Sequence, residues 1–248
     1  MNFKPVKAFR ALFGLENREQ QYPIDFEPSH ISIIEKVKPY TMTSNGRLFG
    51  LIEAVKYIIK HNIPGDFVEC GVWKGGSMMA IAETLIQLGI TDRQLYLYDT
   101  FEGMTAPTEN DIDSLNRTAD RQLKENFYSK ETNIVWAYSG LDEVKNNMSV
   151  INYPTQNIHY VKGDILKTIP ETISSTIALL RLDTDWYEST KHEMIHLFPL
   201  LQRNGVLIID DYGFWRGSRK AIDEYVEENK VQILLNRMDE TGRIALKQ

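Results

Sequence analysis

Four aspartates stand in two pairs along the chain, Asp183 and Asp185 in LLRLDTDWYEST and Asp210 and Asp211 in VLIIDDYG. Each pair directly follows a short apolar run that is typical of a buried β-strand. If these strands are neighbours in a parallel sheet, their carboxyl ends meet at one edge and the four carboxylates converge. So much negative charge in a cleft is unfavourable unless a cation neutralises it, and carboxylate oxygens select hard cations such as Mg²⁺. The pattern therefore predicts a divalent metal site in which one aspartate acts as a general base, without specifying which one.

Three further acidic residues end earlier strand-like runs. Glu69 in VECGVWKGGS precedes a glycine-rich turn and a helix that starts near Ser77, whose free N–H groups suit a carboxylate. Asp99 in LYLYDT could accept hydrogen bonds from ribose hydroxyls, and Asp164 in VKGD from an adenine amino group. Each acid alone is more often a turn or capping residue. Three on successive strands favour an adenosyl ligand without phosphates. S-adenosylmethionine is one such ligand, with an ammonium that Glu69 could bind and a carboxylate that the glycine-rich turn could bind.

Two phosphate-binding patterns and one zinc motif compete with this interpretation. The dinucleotide fingerprint G-x-G-x-x-G and the P-loop pattern are both absent. Residues His192 to His196 spell HEMIH and match the H-E-x-x-H motif of zinc peptidases. This segment lies between the strand that ends at Asp183 and one that starts near Gly205, where a crossover helix packs along the sheet. We therefore predict an ordinary helix with ordinary histidines.

The elements that must position these residues alternate between strands and helices. Strand-like runs cover 66–70, 94–99, 157–161, 177–183, 205–210 and 231–238, and helices are predicted over 47–61, 77–88, 120–126, 189–201 and 218–228. LLNRM and RIALK are separated only by DETG, which predicts a hairpin. The chain is thus predicted to be α/β, with a single doubly wound, Rossmann-like domain and a mostly parallel seven-stranded sheet that ends in an antiparallel hairpin.

The domain is predicted to span residues 40–248, preceded by an irregular extension over 1–39 that contains four prolines. Within the extension, Val6, Phe9 and Phe13 recur at helical spacing and could form an amphipathic helix docked on the protein itself or on a neighbouring subunit. A homo-oligomer is compatible with the sequence, which does not fix the number of subunits.

Composition narrows the function classes. The 248 residues carry a net charge of −6, which is unfavourable for binding a nucleic-acid backbone. No apolar stretch is long enough to cross a bilayer, so membrane insertion is not expected. The single cysteine, Cys70, rules out an intrachain disulfide and favours a reducing compartment. We therefore expect a cytoplasmic protein.

Five segments carry a resemblance to a known family. They are YTMTSNGRL, IPGDFVECGVWKGGSMM, LYLYDTFEGM, ALLRLDTDWYESTKHE and LIIDDYGFWRGSRKAIDEY, and together they run from about Tyr40 to the C terminus. The sequence resembles the macrocin O-methyltransferase family, or TylF-type enzymes. The resemblance implies S-adenosylmethionine as methyl donor, Mg²⁺ or another hard divalent cation as cofactor, and a sugar hydroxyl of a glycosylated natural product or glycan as acceptor.

The resemblance also assigns residue roles. It implies that Asp183, Asp210 and Asp211 bind the metal and that Asp185 is the general base. Phe214, after DDYG, stands where relatives often have His, so acceptor specificity could differ. The implied donor site consists of Met42, Thr43, Ser44, Glu69, Gly71, Ser77, Asp99, Thr100, Gly163, Asp164 and Asp183.

Three alternatives stay open at this point. A metal-dependent O-methyltransferase of a catechol or other phenol would use a similar charge arrangement. A zinc peptidase built on HEMIH is disfavoured by the context of that motif. A non-catalytic protein that binds an adenosyl ligand would show donor binding without turnover.

Overall fold

The computed structural model describes residues 22–248, and seven strands in this range form one sheet. The strands are β1 (Asp66–Cys70), β2 (Leu95–Asp99), β3 (Ile158–Lys162), β4 (Ile177–Leu182), β5 (Leu201–Ile209), β6 (Asn236–Arg237) and β7 (Arg243–Leu246). The helices are α1 (Pro28–Val37), α2 (Asn45–Lys60), α3 (Gly76–Gln87), α4 (Ala119–Glu125), α5 (Leu141–Met148), α6 (Ile165–Thr168), α7 (Tyr187–His196) and α8 (Arg216–Glu228).

The sheet has the order β3-β2-β1-β4-β5-β7-β6. The five strands β1 to β5 are parallel, whereas β7 pairs antiparallel with both β5 and β6. The predicted doubly wound α/β fold and its terminal hairpin are therefore confirmed. Strand order reverses between β1 and β4, which is where open α/β sheets bind ligands. In this register Cys70 pairs with Leu182 and Leu182 with Ile209, so Asp183 and Asp210 emerge side by side.

Alternation along the strands builds a core on each face of the sheet, because successive side chains point to opposite sides. Phe67, Leu97 and Leu179 pack with α1, α2 and α3 on one face. Val68 and Leu180 pack with α7 and α8 on the other. Both faces are thus covered, as near-continuous apolar strands require.

Two element boundaries differ from the prediction. The helix predicted over 189–201 ends at His196 and is followed by a 3₁₀ turn at Phe198–Leu200, since Pro199 cannot continue an α-helix, and β5 already starts at Leu201. Of the strand predicted over 231–238, only Asn236–Arg237 joins the sheet. Val231, Ile233 and Leu235 pack against the core without strand pairing, whereas Leu234 is exposed.

The segment before residue 40 is more ordered than predicted. Pro28–Val37 forms helix α1, with proline in its first turn, and Ile33, Ile34 and Val37 are fully buried in the main core. The helix predicted around Val6, Phe9 and Phe13 lies outside the described residues. Within residues 22–248, every helix is too short or too polar to span a bilayer.

Candidate active site

A cavity of about 600 Å³ opens at the carboxyl edge of the parallel strands. Its walls come from the segment before α2, the β1–α3 turn, the ends of β2 to β5 and the loops that follow them. Lining residues that the sequence singled out are Met42, Thr43, Glu69, Gly71, Ser77, Asp99, Thr100, Gly163, Asp164, Asp183, Asp185, Asp210, Asp211 and Phe214. The structure therefore brings the expected donor and metal residues to one cavity, with Ser44 as an exception.

The β1–α3 turn requires glycine for two reasons. Gly71 has φ +82°, a left-handed conformation that a side chain disfavours. A Cβ at this position would also lie 2.1 Å from the backbone oxygen of Asp183. The turn after β1 is thus packed directly against the turn after β4.

The Asp99 carboxylate is held by three backbone N–H groups. Its Oδ2 accepts from Val72 at 2.7 Å and Trp73 at 3.1 Å, and its Oδ1 accepts from Phe101 at 2.7 Å. Burial raises the pKa of Asp99, and these N–H groups oppose the rise. The neighbouring Thr100 hydroxyl donates to the carbonyl oxygen of Gly103 at 2.7 Å. Asp99 therefore shapes the glycine-rich turn, in addition to facing the cavity.

Asp164 and Ser44 both serve as helix caps. Asp164 accepts from the Leu166 N–H at 3.1 Å and starts α6. Ser44 accepts from the Arg47 N–H at 3.2 Å and donates to Asp239 at 2.7 Å, so its hydroxyl is engaged at the start of α2. Asp164 remains on the cavity wall, whereas Ser44 contributes by fixing the helix behind the wall.

A buried arginine that the sequence analysis missed lies at the centre of the site. Arg181 on β4 is 3% exposed and pairs in register with Glu69 on β1. Its Nη1 contacts Glu69 at 2.5 Å and Asp183 at 2.6 Å, and its Nη2 contacts Asp210 at 2.6 Å. Arg47 on α2 forms a second ion pair with Asp210. The available signal was a single charge inside the apolar run IALLRLD.

Glu69 keeps one carboxylate oxygen free. Its Oε2 is buried without a hydrogen-bond partner among residues 22–248, while Oε1 contacts Arg181. Burial raises the pKa of Glu69 to about 7, and the positive charge of Arg181 limits the rise. An unsatisfied acceptor in a buried cavity wall is costly unless a ligand supplies a donor.

Three of the four strand-end aspartates form a group with metal-ligand spacing. Asp183, Asp185 and Asp211 each offer one carboxylate oxygen, and these oxygens lie within 4.8 Å of one another. The fourth, Asp210, is instead engaged by Arg181 and Arg47. The grouped set thus differs from the implied ligand set, in which Asp210 stood in place of Asp185.

Burial and neighbouring negative charge raise the pKa values of these carboxyls. Burial raises the pKa of Asp185 to about 7, with a further contribution from the charge of Asp183. Burial, followed by neighbouring charges, also raises the pKa of Asp183 and Asp211 well above the ordinary value. Asp185 has φ +67°, an uncommon conformation for a residue other than glycine. Strain and shifted pKa values of this kind cluster at functional sites.

The HEMIH helix contributes a buried carboxyl and no zinc-ligand group within the described residues. His192 Nε2 lies 2.9 Å from the carbonyl oxygen of Ile169. Glu193 is fully buried, and the Thr184 hydroxyl lies 2.8 Å from its Oε1. Its Oε2 is buried without a partner in the part of the chain that the structure describes. The residues of this motif therefore belong to the packing of α7 against the sheet.

Aromatic side chains close the side of the cavity beside Asp185. Trp186 and Trp215 meet edge to face with ring centroids 4.9 Å apart, and Trp186 Nε1 donates to the Thr105 carbonyl oxygen at 3.1 Å. Phe214 packs edge to face on Trp215 and lines the cavity. This side can accommodate a partly apolar molecule next to the acidic group.

Comparison with known proteins decides the family. The chain matches the macrocin O-methyltransferase (TylF) family over residues 32–246. The chain belongs to this family. It is therefore an O-methyltransferase of the S-adenosylmethionine-dependent class. The match includes part of α1, which lies within the predicted extension.

Two relatives and one solved structure illustrate the similarity. Demethyldecarbamoylnovobiocin O-methyltransferase of Streptomyces niveus is 30% identical over 82% of this chain and 74% of its own. A tetracenomycin rhamnosyl 4'-O-methyltransferase of Streptomyces olivaceus is also 30% identical, with the same coverage. The O-methyltransferase NovP superposes with a TM-score of 0.73 at 29% identity, over 84% of this chain and 82% of that one.

Proposed function

We propose that this family member transfers the methyl group of S-adenosylmethionine to a sugar hydroxyl of a glycosylated small molecule, with the help of Mg²⁺ or a similar hard cation. The observation that carries the proposal is the grouping of Asp183, Asp185 and Asp211 on the wall of the cavity that Glu69 and Asp99 also line. The acceptor class is supported by relatives such as the tetracenomycin enzyme, whose name specifies a rhamnosyl substrate.

The donor would lie along the ends of β1 to β3. The free Oε2 of Glu69 suits the ammonium of the donor, and the N terminus of α3 at Ser77 suits its carboxylate. Asp99 and Thr100 would face the ribose, and Asp164 the adenine. Met42, Thr43, Gly71 and Gly163 would line the remaining surface, and the Asp183 side would hold the methyl end.

The grouped carboxylates suit a hard cation as ligands. The grouped oxygens are all carboxylate. Burial, followed by repulsion from neighbouring carboxylates, raises the pKa of Asp183 and Asp211, and a divalent charge would favour their ionised form. Asp183 and Asp211 belong both to this group and to the ligand set implied by the family. For Asp210 to complete that set, a carboxylate oxygen would turn from Arg181 or Arg47 towards the cation. Bound there, the cation would lower the pKa of the acceptor hydroxyl.

Asp185 is the proposed general base. It is the carboxylate of the group that the ligand set implied by the family leaves free, so it could accept a proton beside the bound cation. The carboxylate would accept the acceptor proton as the hydroxyl oxygen attacks the methyl carbon, and the sulfonium would leave as neutral thioether.

The test is methyl transfer to a panel of deoxysugar glycosides, with and without EDTA and with Mg²⁺ restored. We expect activity to disappear with the chelator and to return with the metal. Asp185→Asn should bind S-adenosylhomocysteine normally and lower turnover at least about 100-fold. Full activity without divalent metal would refute the metal role, and near-normal turnover of the variant would reassign the base.

A phenolic acceptor is the second candidate. The aromatic rings of Trp186, Phe214 and Trp215 beside the acidic group favour stacking with a flat ring as much as with a sugar-bearing aglycone. Catechols added to the same panel separate the two, since only one acceptor class should reach saturation at low concentration.

A further inference from the structure

We infer that Glu193 is a positioning residue, which acts through Thr184 to hold the turn that carries Asp183 and Asp185. The inference rests on the proposed function, because it takes these two aspartates as part of the reaction site. Glu193 lies in α7 and is not among the residues that line the cavity. The link to the site is the hydrogen bond with the Thr184 hydroxyl, at 2.8 Å from Glu193 Oε1.

The position of Glu193 needs a specific explanation. Its side chain is 0% exposed, and burying a carboxyl group is costly unless it makes a compensating contact. An apolar residue would satisfy the packing of α7 against the sheet without this cost. Side chains of a helix point towards its N terminus, so Glu193 reaches back over the first turn of α7 to the segment that precedes it. There Thr184 provides its hydrogen-bond partner.

The turn needs to be held because its backbone is strained. Asp185 adopts φ +67°, and such a conformation persists only where neighbouring contacts over-determine it. On one side, Gly71 packs against the Asp183 carbonyl and the Thr184 amide. Within the turn, the Trp186 N–H donates to the Thr184 carbonyl at 2.7 Å. The hydrogen bond to Glu193 holds the Thr184 side chain as well, and thereby restrains the turn between the two flanking aspartates.

The experiment removes the hydrogen bond between Glu193 and Thr184 by substituting either partner. Glu193→Leu and Thr184→Val delete one partner each, whereas Glu193→Gln and Thr184→Ser retain hydrogen-bonding groups. Met194→Leu is the matched control, because Met194 is equally buried in α7. The readouts are kcat and KM, affinity for S-adenosylhomocysteine by calorimetry, and hydrogen exchange in the peptide that covers residues 183–186.

We expect Glu193→Leu and Thr184→Val each to lower kcat about 10- to 100-fold, as loss of a supporting residue does at metal sites. Affinity for S-adenosylhomocysteine should change less than about twofold, exchange in the turn should accelerate, and the double variant should be no worse than the worse single one. Glu193→Gln, Thr184→Ser and Met194→Leu should stay near the original enzyme. If Glu193→Leu does not fold, Thr184→Val tests the same bond.

Two outcomes overturn the inference: unchanged exchange and kcat in Thr184→Val, or a Glu193→Gln variant as impaired as Glu193→Leu. Failure of the proposed function is recognised separately, because it shows in the unaltered enzyme as chelator-resistant activity or as no turnover of any acceptor. In either case the exchange measurement still decides whether Glu193 holds the turn.

Discussion

Replacing Arg181 by methionine tests the electrostatic organisation of the site most directly. The change removes a guanidinium that contacts three carboxylates, those of Glu69, Asp183 and Asp210, at 2.5 to 2.6 Å. Methionine fills much of the same volume without charge. The variant therefore leaves three carboxyl groups without their principal cation, and Arg47 remains only for Asp210.

The expected cost follows from the burial of these groups. Glu69 is 1% exposed and Asp210 8%, so water replaces little of the lost interaction. Breaking a buried ion pair by removing one partner costs about 3–5 kcal/mol, since it leaves an uncompensated charge. With a denaturant slope of roughly 2–3 kcal/mol/M in urea, the unfolding midpoint should fall by about 1–2.5 M.

The loss should depend on pH in a defined direction. The pKa of Glu69 rises from its ordinary value of 4.5 to about 7 in the folded protein, so its carboxyl disfavours folding increasingly as pH rises through this window. Removing Arg181 raises this pKa further, because Arg181 is the group that lowers it. The stability difference between Arg181→Met and the unaltered protein should therefore be small at pH 5 and large at pH 8.

The assay is urea unfolding at pH 5, 6.5 and 8, followed by circular dichroism. Arg219→Met is the matched control, because Arg219 forms an exposed pair with Asp223 at 3.3 Å and should contribute less than about 1 kcal/mol. Mg²⁺ at pH 8 should partly restore the stability of the Arg181→Met variant, because it supplies positive charge. A loss for Arg181→Met that equals the control, or one that does not grow between pH 5 and pH 8, would refute the reasoning.

Three further predictions concern other parts of the molecule. Gly71→Ala should cost at least about 2 kcal/mol in urea unfolding and weaken S-adenosylhomocysteine binding in calorimetry, because its Cβ meets the Asp183 carbonyl at a positive φ; unchanged values of both would contradict this. Ser44→Ala should lower stability by about 1 kcal/mol through loss of the α2 cap, and Ser44→Asn should preserve it. Burial raises the pKa of Glu193 from 4.5 to about 8. The contribution of this carboxyl to folding stability is therefore most favourable below pH 4.5 and is lost as pH rises through 8. Between pH 5 and pH 9, the free energy of unfolding of Glu193→Gln should therefore rise relative to that of the unaltered protein. The rise should reach up to several kcal/mol, at about 1.4 kcal/mol per pKa unit. A difference that does not depend on pH would argue against a buried neutral carboxyl.

Much of the architecture was predictable from local patterns. Short apolar runs separated by amphipathic helices determine a parallel sheet, because only burial on both faces accounts for strands without polar alternation. The acidic residues at the ends of these runs then fall at one edge by the geometry of parallel strands. The prediction that HEMIH lies in a crossover helix is confirmed, because α7 follows β4, precedes β5 and packs against the sheet. Boundaries near Pro199 and 231–235 were less accurate, because apolar residues pack in irregular segments as well as in strands.

The sequence by itself determined which acidic residues reach the ligand edge, whereas the tertiary structure decided what each of them contacts. Asp210 and Asp211 are adjacent in sequence, yet one meets two arginines and the other joins Asp183 and Asp185. Neighbouring residues at a strand end point in different directions, and the partners come from α2 and β4, far away along the chain. Interactions of charges depend on distance and burial, and both are set by strand register and helix packing rather than by the order of residues.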